Sequence, residues 1–305
     1  LSDNKFKSGF VAILGRPNVG KSTLMNHLIG MKIAAVSKRA QTTRKRIQTV
    51  YTDDRGQIIF LDTPGVNKAE TKLGEFMLDS ATETLKTSDM VMWIIEPSSY
   101  IGTGEKSIVE MISKAGKLPL ALVINKCDTA DEQQLEKTET LYIEYLNENG
   151  VEVTSVYKVS ATEGIRLDDL MTGIYDILPE GPMYFDEDTV TDETERDIAA
   201  EFIREKCLRN LDKEIPHGIA VIIDKFSERP DGSLVDIEAT IICERESHKG
   251  IIIGKKGAML KRIGIESRKS IEEMLGIQVN LRLWVKVRPD WRNKTSYMSE
   301  YGYKK

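Results

Sequence analysis

The stretch Gly15-Arg16-Pro17-Asn18-Val19-Gly20-Lys21-Ser22-Thr23 limits what this chain can fold into more than any other. It follows the apolar run Phe10-Val11-Ala12-Ile13-Leu14, which reads as a buried strand. It precedes Leu24-Met25-Asn26-His27-Leu28-Ile29, which reads as a helix closed by Gly30. Strand, glycine loop and helix in that order are the setting of a phosphate-binding loop. Gly15 and Gly20 let successive backbone N–H groups converge on one anion, and the helix N-terminus adds partial positive charge. Lys21 is expected to reach the outer phosphates and the Ser22 hydroxyl to bind Mg²⁺.

The segments that follow alternate strands with helices. Ile33–Val36 is apolar, and Ser37–Arg46 is polar and basic: either a solvated linker or a switch loop whose threonine completes a Mg²⁺ shell when a γ-phosphate is present. Arg46–Thr52 alternates with period two, Asp53-Asp54-Arg55-Gly56 is a hairpin turn, and Gln57–Leu61 is a strand. That strand ends in Asp62-Thr63-Pro64-Gly65. By itself this is an ordinary turn; downstream of a phosphate loop, Asp62 can hold Mg²⁺ through water and Gly65 can offer its N–H to a γ-phosphate. Leu73–Thr87 has helical spacing, Asp89–Glu96 is a buried strand carrying Trp93, and Thr103–Ala115 is a helix with Thr103 as its N-cap.

Pro119–Ile124 is another buried strand, ending in Asn125-Lys126-Cys127-Asp128. A carboxylate here can accept hydrogen bonds from both N1–H and the N2 amine of guanine, neither of which adenine offers. Lys126 can lay its stem over the base, and Asn125 can tie this loop to the phosphate loop. The bland alternative is a capping Asn and a turn Asp. Asp131–Asn149 reads as a helix, Thr154–Val159 as the last strand, and Ser160-Ala161 as a loop whose backbone can face guanine O6. Arg166–Leu178 is a closing helix, broken by Leu178–Pro182. Motifs at the carboxyl ends of alternating strands predict an α/β doubly wound sheet. We place this domain at 1–180 and an acidic linker at 181–192.

The region 193–305 is different in kind. A helix over Glu193–Leu211 buries one face through Ile198, Phe202, Ile203 and Leu208, and strands Ile219–Phe226 and Leu234–Cys243 form a hairpin. Gly254-Lys255-Lys256-Gly257 sits between helical segments, Met259–Leu275 is a basic amphipathic helix, and Gln278–Val287 is a third strand. The paired glycines let a phosphate backbone approach the main chain, while Lys255 and Lys256 neutralise it. Ile251, Ile252 and Ile253 form a groove wall or join the core. Lys261, Arg262, Lys286 and Arg288 extend the basic surface. Trp284 and Trp291 are core or lid residues, or else stacking platforms. The net charge of −5 argues against a polyanion partner, but beyond Arg245 basic residues outnumber acidic ones by roughly two to one.

Residues 10–178 resemble a small GTPase domain of the translation-factor-related class. Gly15–Thr23, Thr42-Thr43, Asp62–Gly65, Asn125–Asp128 and Ser160-Ala161 match its five signatures in order. The helix–strand–strand–helix–loop–helix–strand pattern around Gly254–Gly257 resembles a type II KH domain, an α+β fold. With Gln41-Thr42-Thr43-Arg44, the whole chain is similar to the Era family. That resemblance implies a GTP-hydrolysing switch that binds 16S ribosomal RNA near its 3′ end and assists assembly of the small (30S) ribosomal subunit. It implies GTP/GDP and Mg²⁺, the latter held by Ser22, Thr43 and, through water, Asp62. Thr43 is favoured over Thr42 by resemblance alone. Gly15 to Thr23, Asp62, Thr63, Pro64, Gly65, Val66, Asn125, Lys126, Cys127, Asp128, Ser160 and Ala161 would contact nucleotide, with Asn18, Lys21, Thr43 and Gly65 catalytic.

One departure stands out. Val66 occupies the place where Ras-like enzymes carry a water-orienting glutamine. GTPases resembling this one use an asparagine equivalent to Asn18 to hold K⁺ against the phosphates, so K⁺ is expected here. Val66 also keeps open a constitutive RNA-binding protein with a structural GTPase domain. A membrane-associated regulatory GTPase is a further alternative.

Scattered Cys127, Cys207 and Cys243 point to a reducing cytoplasm, and the dispersed histidines lack metal-ligand spacing. Hydrophobic content of 40% and charged content of 30% suit a soluble globular chain, with no signal-peptide pattern in Ser2-Asp3-Asn4-Lys5. A monomer is expected, with no DNA partner and with a peripheral contact at the inner face of the cell membrane implied by the resemblance.

Overall fold

The computed structural model describes residues 6–31, 34, 44–65, 69–212 and 215–303. Thr42, Thr43 and Val66 lie outside the described residues. The described chain forms two compact units, with a change from one to the other between Asp192 and Glu193.

The first unit contains β1 (Lys7–Leu14), α1 (Lys21–Ile29), β2 (Ile47–Asp53), β3 (Gly56–Asp62), the Met77–Lys86 part of α2 (Lys72–Lys86), β4 (Met90–Ile95) and α3 (Thr103–Ala115). It continues with β5 (Leu120–Ile124), α4 (Glu132–Glu148), β6 (Ser155–Lys158) and α5 (Leu167–Ile177). The strands form one sheet in the order β2-β3-β1-β4-β5-β6, with only β2 antiparallel to its neighbour. Period-two alternation sends successive side chains to opposite faces. Val11 and Ile13 of β1 join α1 and α5 through Leu24, Met25, Leu170 and Ile174. Ala12 and Leu14 join α2, α3 and α4 through Leu85, Ile108, Ile112 and Leu146. Both faces are therefore covered, which is why the central strands read as unbroken apolar runs. The expected α/β doubly wound sheet is the one present.

One detail differs from expectation. Thr103 is the first residue of α3 and Gly102 is its cap, with no side-chain cap bond. Asp131 does cap α4, accepting from Gln134 N at 2.8 Å.

The segment 181–192 is more than a spacer. The buried Gln57 amide donates to Phe185 O at 2.9 Å and accepts from Tyr184 N at 2.8 Å and Phe185 N at 3.0 Å. Further along, Val50 N donates to Val190 O at 2.9 Å and Thr191 Oγ1 donates to Gln48 O at 2.7 Å, so the segment pairs with the free edge of β2. Acidic composition speaks of solvation and is silent about backbone pairing. Gln57→Ala should leave two amides and a carbonyl without their partner. We expect a loss of about 1–3 kcal/mol by urea unfolding, with faster hydrogen exchange at Tyr184 and Phe185 but not at β4.

The second unit contains α6 (Glu195–Asn210), β7 (Ala220–Glu228), β8 (Leu234–Cys243), α7 (Glu246–Ile253), α8 (Ala258–Leu275), β9 (Gln278–Val287) and α9 (Thr295–Glu300). Its sheet runs β7-β8-β9, with an antiparallel hairpin followed by a parallel pair. Ile237, Ala239 and Ile241 of β8, with Ile252, Ile263 and Ile271 from the helices, are fully buried. Helix α6 is buried on more than the one face expected: Arg204, Glu205 and Lys206 are buried beside Phe202 and Ile203. Each buried charge has an opposite partner. Glu205 takes Lys206 and Arg209, both at 2.9 Å, and Arg204 donates to Glu201 at 3.0 Å, the condition under which charge tolerates burial. No described helix is long and apolar enough to cross a membrane.

Candidate functional site

The phosphate loop joins β1 to α1. Gly20, with φ 102, turns the chain into the helix, and a Cβ there would lie 2.2 Å from Asn125 Nδ2. That close approach lets Asn125, itself buried, donate to Val19 O at 2.7 Å while its Oδ1 accepts from Ala161 N at 2.9 Å. One side chain thus joins three loops that lie far apart in sequence. The Ala161 N–H is engaged by Asn125. Ser160 is buried, its Oγ accepting from Glu163 N at 3.3 Å.

Lys21 is buried, and its ammonium donates to Gly15 O at 2.9 Å and Arg16 O at 3.0 Å. Burial pushes its pKa below the ordinary lysine value, opposed by the negative charge of Asp62. Asp62 closes β3 beside Ile13 of β1, and the Thr63 hydroxyl donates to Ile13 O at 2.7 Å. Thr63 therefore holds the Asp62–Gly65 turn against β1, and its side chain is committed to the backbone. Pro17 and Thr23 are half-buried, and Ser22 is buried on the first turn of α1. Asn18 is exposed at the loop apex with φ 71, a conformation that Asn tolerates.

Sequence reasoning missed an acidic bridge. Glu96, just beyond β4, pairs with Arg16 of the phosphate loop at 3.5 Å and with Lys126 of the Asn125–Asp128 loop. Arg16 also pairs with the buried Glu105. A carboxylate at a strand's carboxyl end was the available signal. Cys127 N donates to Val159 O at 3.0 Å, leaving Asp128 exposed in a short turn.

In the second unit, α7 ends at Gly254, whose φ 73 and ψ 175 only glycine adopts readily. A Cβ there would lie 2.7 Å from Met259 Cβ. Lys255 and Lys256 are exposed on the turn, and Gly257 caps α8. Beside this turn, α8 and β9 enclose a groove of about 370 Å³. Leu260, Ile265, Leu281 and Leu283 line its apolar part, Gly257 and Gly264 its narrow part, and Lys261 and Arg268 its basic rim.

The sequence reading named Gly257 and Lys261 of this set. It missed the others because they converge only through packing, although the alternation of β9 placed Leu281 and Leu283 on one face. Ile251 is exposed and Ile253 half-buried, but Ile252 is fully buried and belongs to the core rather than to a groove wall. Arg262 pairs with Glu266 at 3.0 Å, and Arg288 lies 5.7 Å over the Tyr297 ring. Neither they nor Lys286 lines the groove. The two tryptophans separate: Trp291 is fully buried and donates to Gly218 O at 2.9 Å, whereas Trp284 is exposed.

A phosphate loop, an Asn-Lys-Cys-Asp turn tied to it through Asn125, and a glycine-lysine turn beside a groove define a P-loop GTPase with a C-terminal KH domain. Family comparison agrees: residues 10–126 match the profile described as 50S ribosome-binding GTPase, and residues 214–292 match the KH domain profile. GTPase Era of Clostridioides difficile (strain 630) is 49% identical over 300 residues, covering 98% of this chain and 99% of the relative. That of Alkaliphilus metalliredigens (strain QYMF) is 49% identical over 298 residues, covering 98% and 99%. A crystal structure of an Aquifex aeolicus Era variant bound to GDP·AlF4⁻ is 38% identical with a TM-score of 0.91, covering 98% of this chain and 99% of that one. A structure of Era in complex with MgGDPNP and nucleotides 1506–1542 of 16S ribosomal RNA is 39% identical, with the same TM-score and coverage. This chain belongs to the Era GTPase family and is a GTPase.

Proposed function

We propose that this GTPase is a GTP-timed clamp on single-stranded ribosomal RNA near the 3′ end of 16S, acting in small-subunit assembly. The observation that carries the reading is the groove beside the Gly254–Gly257 turn, with apolar walls for bases, and with Lys261 and Arg268 at the groove and Lys255 and Lys256 on the turn for phosphates. A related protein has been captured with Mg-nucleotide and that RNA segment together. The large-subunit description of the family profile covers residues 10–126 alone, a region without the groove. The proposed setting is the cytoplasm, where its three cysteines stay as thiols.

In this reading Mg²⁺ is held by Ser22, by Asp62 through water and by Thr43. Ser22 stands on the first turn of α1, the helix that follows β1, and Asp62 at the carboxyl end of the neighbouring β3; hard oxygen donors of this kind suit Mg²⁺. The ion would neutralise charge on the β- and γ-phosphates. Lys21 stands at the loop for the same phosphates, and Asn18 for K⁺, with its side-chain oxygen at the exposed apex. Turnover should rise about tenfold or more in K⁺ over Na⁺ at equal ionic strength, the scale of a preorganised charge at the reacting phosphate. Equal rates would remove K⁺ from the mechanism.

The pairing of 190–191 with β2 supports nucleotide control of RNA binding. β2 begins at Ile47, four residues after Thr43 in sequence, and the paired segment leads within a few residues into α6. RNA affinity is expected to be higher with a GTP analogue than with GDP. Filter binding of the 1506–1542 segment checks this, and identical affinity with analogue, GDP and no nucleotide would leave a clamp without a timer.

A further inference from the structure

β9 is an edge strand whose residues alternate between two surfaces. Leu281 and Leu283 line the groove beneath α8. Arg282, Trp284 and Lys286 alternate with them and face away, on the open side of the sheet. Trp284 is 46% exposed, although Trp93 and Trp291 are wholly buried. An indole left in water between two cations, with Thr240 rather than an apolar residue opposite it, has poor surroundings for a protein–protein core. It suits a stacked base whose flanking phosphates meet positive charge.

One charge pair on this sheet face is already spent. Arg229 holds Asp236 at 3.0 Å, and with Asn280 it keeps that carboxyl down at about 2. Asp224 accepts from Thr240 at 2.6 Å. Arg282 is only loosely engaged, 3.8 Å from Glu238, and Lys286 has no ion pair among the described residues. Two cations without a close ion pair therefore flank the tryptophan, against the anion Asp224, on the far side of the strand that forms one wall of the groove.

We propose that Trp284, flanked by Arg282 and Lys286, is a second nucleobase platform, on which RNA leaving the groove stacks after passing over the β9 edge. This rests on the RNA reading above and lengthens the footprint beyond the nucleotides the groove can hold. It gives Lys286 a task that the groove does not.

The test uses the full chain with a GTP analogue and two labelled probes. One is the 1506–1542 segment of 16S ribosomal RNA; the other is a set of five-nucleotide fragments of it, long enough for the groove alone. Trp284→Ala should weaken the long probe about tenfold or more and leave the tightest fragment within about twofold. Trp284→Phe should restore most of the loss. Arg282→Gln with Lys286→Gln should lower the salt dependence for the long probe only. Equal affinity of Trp284→Ala and the parent for the long probe overturns the platform. So does an equal loss on both probes, since a base site outside the groove cannot act on a strand that ends within it. If the parent binds neither probe, the RNA reading itself fails and the platform with it.

Discussion

Replacing Asp128 with Asn is expected to turn a guanine-selective site into one that prefers xanthine. In the proposed reading the carboxylate would accept from N1–H and the N2 amine together. An Asn amide offers one acceptor and one donor, so the guanine amine meets another N–H, while the C2 carbonyl of xanthine is matched. A mismatch of this kind, covered by the bound base, costs a factor of about 10⁴, which should appear as lost GTP affinity with gain for XTP. The turn itself should survive. Its geometry rests on Cys127 N donating to Val159 O at 3.0 Å and Thr129 N to Lys126 O at 3.0 Å, neither of which uses the Asp128 side chain. Competition between GTP and XTP for fluorescent GDP measures the change. A variant that still strongly prefers GTP would remove Asp128 from base reading.

The second large effect is expected at the clamp. Lys255→Ala combined with Lys256→Ala should weaken single-stranded RNA binding about 10–100-fold near physiological salt and flatten the log–log salt slope by about 1.4, two phosphate contacts at about 0.7 each. Both side chains are exposed and make no described ion pair, so stability and GTP turnover should stay close to the parent. Anisotropy titrations at several salt concentrations decide the matter. An unchanged slope would place the phosphates elsewhere.

Much of this was legible beforehand because its causes are local. The glycines of the phosphate loop, the strand-ending Asp62, Asp128 in the turn after β5, and the Gly254–Gly257 turn each announce a backbone shape or a charge within a few residues. Strand boundaries followed the apolar runs, and β9 was read at Gln278–Val287 as it stands. The Thr103 cap was misplaced because Gly102 terminates the preceding loop equally well. The single face assigned to α6 was too narrow because helical periodicity takes charge to mean solvent, and Glu205 shows that a charge with two partners can be buried.

What the amino-acid order determined by itself was the alternation of strands and helices, the loops that carry chemistry, and the family they belong to. These depend on spacing, and spacing is written in one dimension. Packing alone decided that Asn125 would join three loops, that Gln57 would hold the segment at 184–185, that Ile252 would turn inward and that one tryptophan would be buried while its near neighbour faced water. The reason is physical. A side chain's partners across the fold are set by which surfaces exclude water together, and residues far apart in sequence carry no mark of that meeting until the chain has closed.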